Sequence, residues 1–362
     1  MSFSYRRLVI KIGSNVLTQE NGLPDIGRMQ HLAGQIARLK VLAKEIILVS
    51  SGAVSFGRSM IRVSDKGDSV AGRQLLASIG QVKLINTYSD LFEKHNFITA
   101  QVLVTKEDFR DRLHYLNMKN CFEILLQNNV IPVVNENDVI SVTELMFTDN
   151  DELGGLIATM LNADALIILS NVDGIYNGDP KDKNSKVISE IEPSSTDFSS
   201  FITTHRSSFG RGGMVTKSNM AHKVAQLGIT VHIANGTTED ILLKVLDNEA
   251  INTRFIPKKI ASGKKKWIAH SENFAKGAVQ INEGAREALF SEKASSLLPV
   301  GITGVIDDFQ KGDIIKLIDQ NYKTVGLGIA EYSSEKAKER IGRKKEKALI
   351  HYDYLYLSRD IN

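Results

Sequence analysis

The chain has 362 residues, 42% hydrophobic and 24% charged, with a formal net charge of +3. That length allows one large or two ordinary domains with a sizeable core, and the charge is too small to argue for a nucleic-acid partner by itself. A single cysteine, Cys121, rules out an internal disulfide framework and a cysteine-built zinc site, and no apolar run approaches membrane-spanning length. The expected setting is the reducing cytoplasm.

Residues 8–12 form a short apolar run that predicts a buried strand, interrupted by Lys11 and followed by the turn formers Gly13-Ser14-Asn15. A lysine at the end of a buried strand needs an anionic partner or an escape to water. Lys11 is therefore either a phosphate ligand or a snorkelling edge residue. Apolar residues then recur at helical spacing over 26–42 (Met29, Leu32, Ala33, Ile36, Leu39), and a strand is expected over 45–50. Ser51-Gly52-Ala53 ends it. Helical patterning runs over 74–92, with a strand at 99–104, a helix at 116–128 and a buried strand at 130–134. A helix at 153–161, a strand at 165–169, a polar Ser-rich loop over 177–208, a helix at 214–227 and a strand at 230–234 complete the series. Strands alternating with helices predict an α/β fold with a doubly wound, mostly parallel sheet.

The composition shifts over 252–267, where Pro257, Ser262-Gly263 and Lys264-Lys265-Lys266 make a basic, turn-prone connector. We place the boundary between domains 1–257 and 258–362 there. From Lys258 onward there are 19 Lys and Arg against 14 Asp and Glu, leaving 26 against 28 before it. Alternating strands are expected at 277–281, 313–318 and 325–329, with helices at 283–289 and 334–341, so the second domain is small and β-rich.

Four polar clusters follow apolar strands, where open α/β sheets bind ligands. They are Lys11-Ile12-Gly13-Ser14; Ser50-Ser51-Gly52-Ala53; Asn135-Glu136-Asn137-Asp138 with Asp149-Asn150-Asp151 shortly after; and Gly210-Arg211-Gly212-Gly213-Met214-Val215-Thr216-Lys217. The third is acidic and sits between a buried strand and an apolar helix, which suits an ammonium group or a metal. The fourth sets glycines and Lys217 at a helix start, where backbone N–H groups attract phosphate. Two lysines on two glycine turns fit phosphoryl transfer, which needs charge neutralised from several sides. The histidines show neither triad nor metal-ligand spacing, and His205, His222 and His232 are read as packing or surface residues.

Together these motifs resemble the amino acid kinase family, over nearly the whole chain. The tail, through Lys266-Trp267-Ile268, Asn282-Glu283-Gly284-Ala285, Ser295-Ser296-Leu297-Leu298-Pro299 and Gly301-Ile302, resembles a PUA domain. The resemblance implies the amino acid kinase fold and an ATP-dependent phosphorylation of the side-chain carboxylate of L-glutamate to L-glutamyl 5-phosphate. That reaction opens proline biosynthesis and is usually inhibited by proline. It further implies Lys11, Lys217 and Asp151 as catalytic residues, and Ser51, Asp138 and Asn150 as substrate ligands, with Asp138 on the ammonium. ATP with Mg²⁺ would be held by Lys11, Gly13, Ser170, Asn171, Arg211, Gly212, Gly213, Met214, Val215, Thr216 and Lys217. The chain departs from the family at Ser170-Asn171, where Thr-Asp is common, and at Arg211, where a threonine is usual. The alternatives are another kinase of the fold, acting on acetylglutamate or aspartate, and RNA binding through the basic tail, which lacks interleaved aromatics to stack bases. A homo-oligomer is expected.

Overall fold

The computed structural model describes residues 5–42, 44–62, 69–140, 147, 149–180, 182, 184–193, 213–258, 268, 275–291 and 295–357. The chain divides into two compact units, Met1–Ile260 and Ala261–Asn362.

In the first unit β1 (Arg7–Ile12) leads through a one-turn helix α1 (Ser14–Leu17) to α2 (Ile26–Val41), β2 (Glu45–Ser50), α3 (Ala53–Met60) and α4 (Val70–Glu93). Then come β3 (Thr99–Val104), α5 (Lys106–Arg110), α6 (Arg112–Gln127), β4 (Ile131–Glu136), α7 (Asn150–Met160) and β5 (Ala165–Ser170). The short β6 (Glu190–Ile191), α8 (Met214–Gln226), β7 (Thr230–Asn235), α9 (Ile241–Asp247) and β8 (Asn252–Phe255) end the unit. The eight strands form one sheet in the order β3-β4-β2-β1-β5-β7-β8-β6, parallel except where β7 meets β8. The central strands are mostly apolar because helices cover both faces.

The strand order determines where a ligand can sit. From β1 the chain passes to β2, then to β3 at the edge and back to β4 between them, and next places β5 on the opposite flank of β1. Connections diverge at that switch point, opening a crevice beyond the carboxyl ends of β1, β2 and β5. Register aligns those ends: Lys11 pairs with Val49 on one side and Ile168 on the other, and Ile12 with Ser50 and Leu169.

Several boundaries differ from expectation. The strand expected to stop at Val134 continues through Asn135 and Glu136, paired with Leu103 and Val104 of β3. The helix expected from Leu153 begins at Asn150, because the Asp149 carboxylate accepts from the N–H groups of Asp151 (2.9 Å) and Glu152 (3.0 Å) and caps an extra turn. Residues 252–255, read as connector, form a sheet strand, antiparallel to β7. The helices α1 and α9 had no counterpart in the pattern. Residues 194–208 of the expected loop, residues 259–267 of the connector, Arg211 and Gly212 lie outside the described residues.

The second unit contains β9 (Gly277–Ile281), α10 (Glu283–Phe290), β10 (Ile302–Val305), β11 (Ile314–Ile318), β12 (Thr324–Ile329), α11 (Ser334–Arg340) and β13 (Leu355–Leu357). Its sheet runs β10-β9-β11-β12-β13, antiparallel apart from the β9–β11 pair, over a core including Val279, Ile281, Ile315, Leu317 and Leu349. Among the described residues no helix is long and apolar enough to cross a membrane.

Candidate active site

Lys11 is the penultimate residue of β1, and its side chain leaves the sheet beneath α7. The helix packs close at Gly154, where a Cβ would be in ordinary van der Waals contact with Lys11 Cβ at 3.4 Å. Asp151, in the first turn of α7, meets the lysine: Lys11 Nζ stands 2.5 Å from Asp151 Oδ1. The other carboxylate oxygen accepts a hydrogen bond from Lys217 Nζ, one turn into α8. Gly155 sets the spacing of those two helices, since a Cβ there would fall 2.8 Å from Met220 Sδ. Lys11, Asp151 and Lys217 are only 5%, 2% and 8% exposed.

Burial by itself would push the Asp151 carboxyl up, but the two ammonium groups hold it well below the usual carboxylate range. Burial holds Lys11 below the usual lysine range; Asp151 opposes that shift and Lys217 adds to it. Asp149 is moved upward, first by burial and then by repulsion from Asp151, with both lysines opposing. The cluster is thus one carboxylate, held in its ionised form, bridging two lysine side chains.

Three helix starts follow glycines: the N-caps of α1, α3 and α8 are Gly13, Gly52 and Gly213, and among the described residues none of them has a side-chain cap, the kind of helix start at which backbone N–H groups attract an anion. Gly52 has φ +109°, a conformation that favours glycine. A Cβ on Gly13 would stand 3.2 Å from the Leu169 carbonyl and 3.5 Å from Lys11 Nζ. On the other flank a hydrogen-bonded wall joins the ends of β2 and β4. Asn150 Nδ2 donates to Ser51 Oγ (3.0 Å), Asn135 Oδ1 (3.0 Å) and the Ser50 carbonyl (3.2 Å).

The structure therefore brings together Lys11, Gly13, Ser51, Asn150, Asp151, Gly213 and Lys217, with Met214, Val215 and Thr216 between the last two. Ser170 closes β5, its carbonyl accepting from Gly236 N–H at 2.8 Å, and Asn171 follows, exposed. Asp138 is half-buried beyond β4, and among the described residues it makes no hydrogen bond to the Asn150 wall. Burial pushes its carboxyl up, and the charge that opposes this is Arg73 of α4. Arg211 and Gly212 are among the residues not described. His232 is buried in β7 between Tyr5 (3.2 Å) and Asn252 (3.0 Å), a packing role. Among the described residues no three His, Cys, Asp or Glu side chains are placed to hold a metal ion.

Residues 6–235 match the amino acid kinase family, and 277–352 match the PUA domain. The chain belongs to the amino acid kinase family. Curated relatives in this family align end to end. A glutamate 5-kinase of Bacteroides thetaiotaomicron is 54% identical, covering 99% of this chain and 100% of its own. Another, of Chlorobaculum tepidum, is 53% identical over 98% of each. Among solved structures, a carbamate kinase from Giardia lamblia bound to AMP-PNP superposes with TM-score 0.53 at 19% identity, covering 71% of this chain and all of that one, a likeness of fold. The family fold accordingly accounts for the sheet, and the tail is a PUA domain with a sheet of its own.

Pattern reading did not single out Asn135, Gln81 or Tyr88 as individual contributors. Asn135 was visible only as a member of a polar run. Gln81 and Tyr88 lie inside a long helix, and their contacts are with Asn135 and Ser50, far away in the chain.

Proposed function

We propose that this chain transfers the γ-phosphoryl group of ATP to the side-chain carboxylate of L-glutamate, yielding L-glutamyl 5-phosphate and ADP. The observation that carries this reading is the buried Lys11–Asp151–Lys217 bridge beside a wall of neutral amide and hydroxyl groups. A carboxylate is already a nucleophile at neutral pH, so the site needs no general base. What it must supply is alignment of two anions and neutral surroundings for their combined charge.

Lys11 and the N–H groups after Gly13 hold the β- and γ-phosphates. Lys217 and the start of α8 follow the transferring group, with Gly213 to Thr216 as backbone donors. The bond from the γ-phosphorus to the bridging oxygen of ADP breaks as a glutamate carboxylate oxygen bonds to that phosphorus, and the electron pair leaves on ADP. Asp151 keeps both lysines oriented without touching the substrate. Magnesium, as the counter-ion of the nucleotide, would add to the charge neutralisation that Lys11 and Lys217 supply. Ser51 and Asn150 line the glutamate side, Asp138 takes the ammonium, and Ser170-Asn171 with Arg211-Gly212 complete the nucleotide side. A cytoplasmic, homo-oligomeric enzyme inhibited by proline belongs to the same reading, which is supported by end-to-end similarity to glutamate 5-kinases.

The test is to incubate the protein with MgATP and glutamate and trap the acyl phosphate as its hydroxamate. Product with glutamate is expected. Product with aspartate or acetylglutamate, but none with glutamate, would overturn the reading.

A further inference from the structure

Helix α4 runs on past the carboxyl end of β4. Gln81 Oε1 accepts from Asn135 Nδ2 (2.9 Å) inside the strand, and Gln74 Nε2 donates to the carbonyl of Val139 (2.9 Å), beyond its last residue Glu136. Seven helical residues cover about 10 Å, so the first turns of α4 stand beyond the sheet, beside the residues that follow β4.

Arg73 lies in those turns. It precedes Ala77, Gly80 and Leu84 by four, seven and eleven residues, and all three are buried, so it shares the inward-facing stripe of the helix. It is itself half-buried, and among the described residues its guanidinium makes no hydrogen bond and no ion pair. An arginine turned inward without a partner is costly unless an anion is brought to it. Its charge is felt by Asp138, whose upward shift it opposes, yet among the described residues the two are not paired. The guanidinium fork therefore remains open to a third group.

Glutamate offers that group. Its α-carbon bears an ammonium and a carboxylate side by side. The reading above gives the ammonium to Asp138 and the side-chain carboxylate to the phosphoryl group, but sets no cation against the α-carboxylate, which Asp138 alone would repel. We propose that Arg73 binds the α-carboxylate of the substrate, so that Arg73 and Asp138 hold the zwitterionic head group while the side chain extends toward Lys11 and Lys217. This rests on the glutamate kinase reading and deepens it: the site selects an amino acid with both α groups free.

L-Isoglutamine, the α-amide of glutamate, tests this directly, since it keeps the ammonium and the side-chain carboxylate and lacks only the α-carboxylate. For wild type, Arg73→Met and Arg73→Lys, the measurements are KM for glutamate and for ATP, the competitive inhibition constant of isoglutamine against glutamate, and the thermal midpoint. In Arg73→Met the glutamate KM is expected to rise about tenfold or more, as for one lost charged hydrogen bond, while the isoglutamine constant, KM for ATP and the midpoint hold. Arg73→Lys keeps the charge without the fork and is expected to fall between. Equal losses of glutamate and isoglutamine affinity would overturn the inference, because a residue that only shapes the site cannot tell the two apart, and so would an unmoved glutamate KM. Should Arg73→Met not fold, the ratio of the two affinities in Arg73→Lys decides: it narrows if Arg73 binds the carboxylate, and a wild-type ratio overturns the inference. None of these results touches the kinase reading, which fails only if wild type does not phosphorylate glutamate, taking this inference with it.

Discussion

Lys11 Nζ lies 2.5 Å from Asp151 Oδ1, with both side chains almost fully withdrawn from water, and Lys217 takes the opposite oxygen of the same carboxylate. Three buried charges with one anion among them are costly alone and leave an excess of positive charge. A phosphate chain satisfies that excess, which is why the cluster suits transfer of a phosphoryl group better than a purely structural salt bridge would.

Lys217→Ala removes one of the two lysines that the proposed reaction sets against the transferring group. Turnover is expected to fall by about 10²–10³-fold, the usual loss when one preorganised transition-state donor is deleted. Asp151 still pairs with Lys11 in this variant, so the thermal midpoint is expected to hold. Near-normal hydroxamate formation by Lys217→Ala would show that the lysine does not neutralise transferred charge.

Asp151→Asn leaves two buried ammonium groups with no carboxylate. Destabilisation of about 3 kcal/mol is expected in a denaturant titration, since breaking a buried pair strands its partners. In the wild type the depressed carboxyl of Asp151 contributes stability above the unfolded-state value near pH ~4, which is lost as pH falls through the lower folded value.

Asp149 gives the opposite sign. Its carboxyl is raised by burial and by Asp151, so the native state holds its proton more tightly than the unfolded chain does. Its contribution is present below the unfolded value near pH ~4 and is lost as pH rises through the raised folded value. Asp149→Asn keeps the helix cap without the charge. We expect it to melt above wild type at neutral pH, the gap narrowing toward pH ~4. A gap that stayed constant with pH would contradict this.

Gly80→Ala probes the crossing of α3 and α4. A Cβ at Gly80 would lie 1.8 Å from the Ala53 carbonyl oxygen and 2.4 Å from the Gly57 nitrogen, both backbone atoms that no rotamer can relieve. A loss of about 2 kcal/mol or more in stability is expected from this overpacking. Because α3 starts just after Ser51, KM for glutamate should rise more than KM for ATP.

Tyr88→Phe removes the hydroxyl that donates to Ser50 Oγ, whose own hydrogen goes to the Ser51 carbonyl at 2.9 Å. Loss of this buried hydrogen bond is expected to cost about 1 kcal/mol. Glutamate KM should rise a few-fold as the Ser51 turn loosens, with ATP affinity retained; equal losses for both substrates would assign Tyr88 to general stability.

Much of this architecture is written in local pattern. The runs at 8–12, 45–50 and 165–169 are buried strands because mostly apolar residues suit a sheet covered on both faces, and β1, β2 and β5 lie there. Glycine positions told where turns could sit close to an anion, as at Gly13 and Gly52. Local pattern misjudged the start of α7, because hydrophobic spacing begins at Leu153 while the cap at Asp149 acts through its side chain. It also missed β8, four residues with alternating burial that pair only once β7 is beside them.

The sequence alone determined which residue types were available: two lysines after strand or glycine turns, an acidic run, and an alternation of strands and helices. Only the tertiary structure decided that Asp151 would bridge both lysines and that Gln81 and Tyr88 would stand behind the wall. Those contacts depend on β5 lying beside β1 and on α4 crossing behind the ends of β2 and β4. Such neighbours are chosen by packing between distant segments, for which local propensity carries no signal.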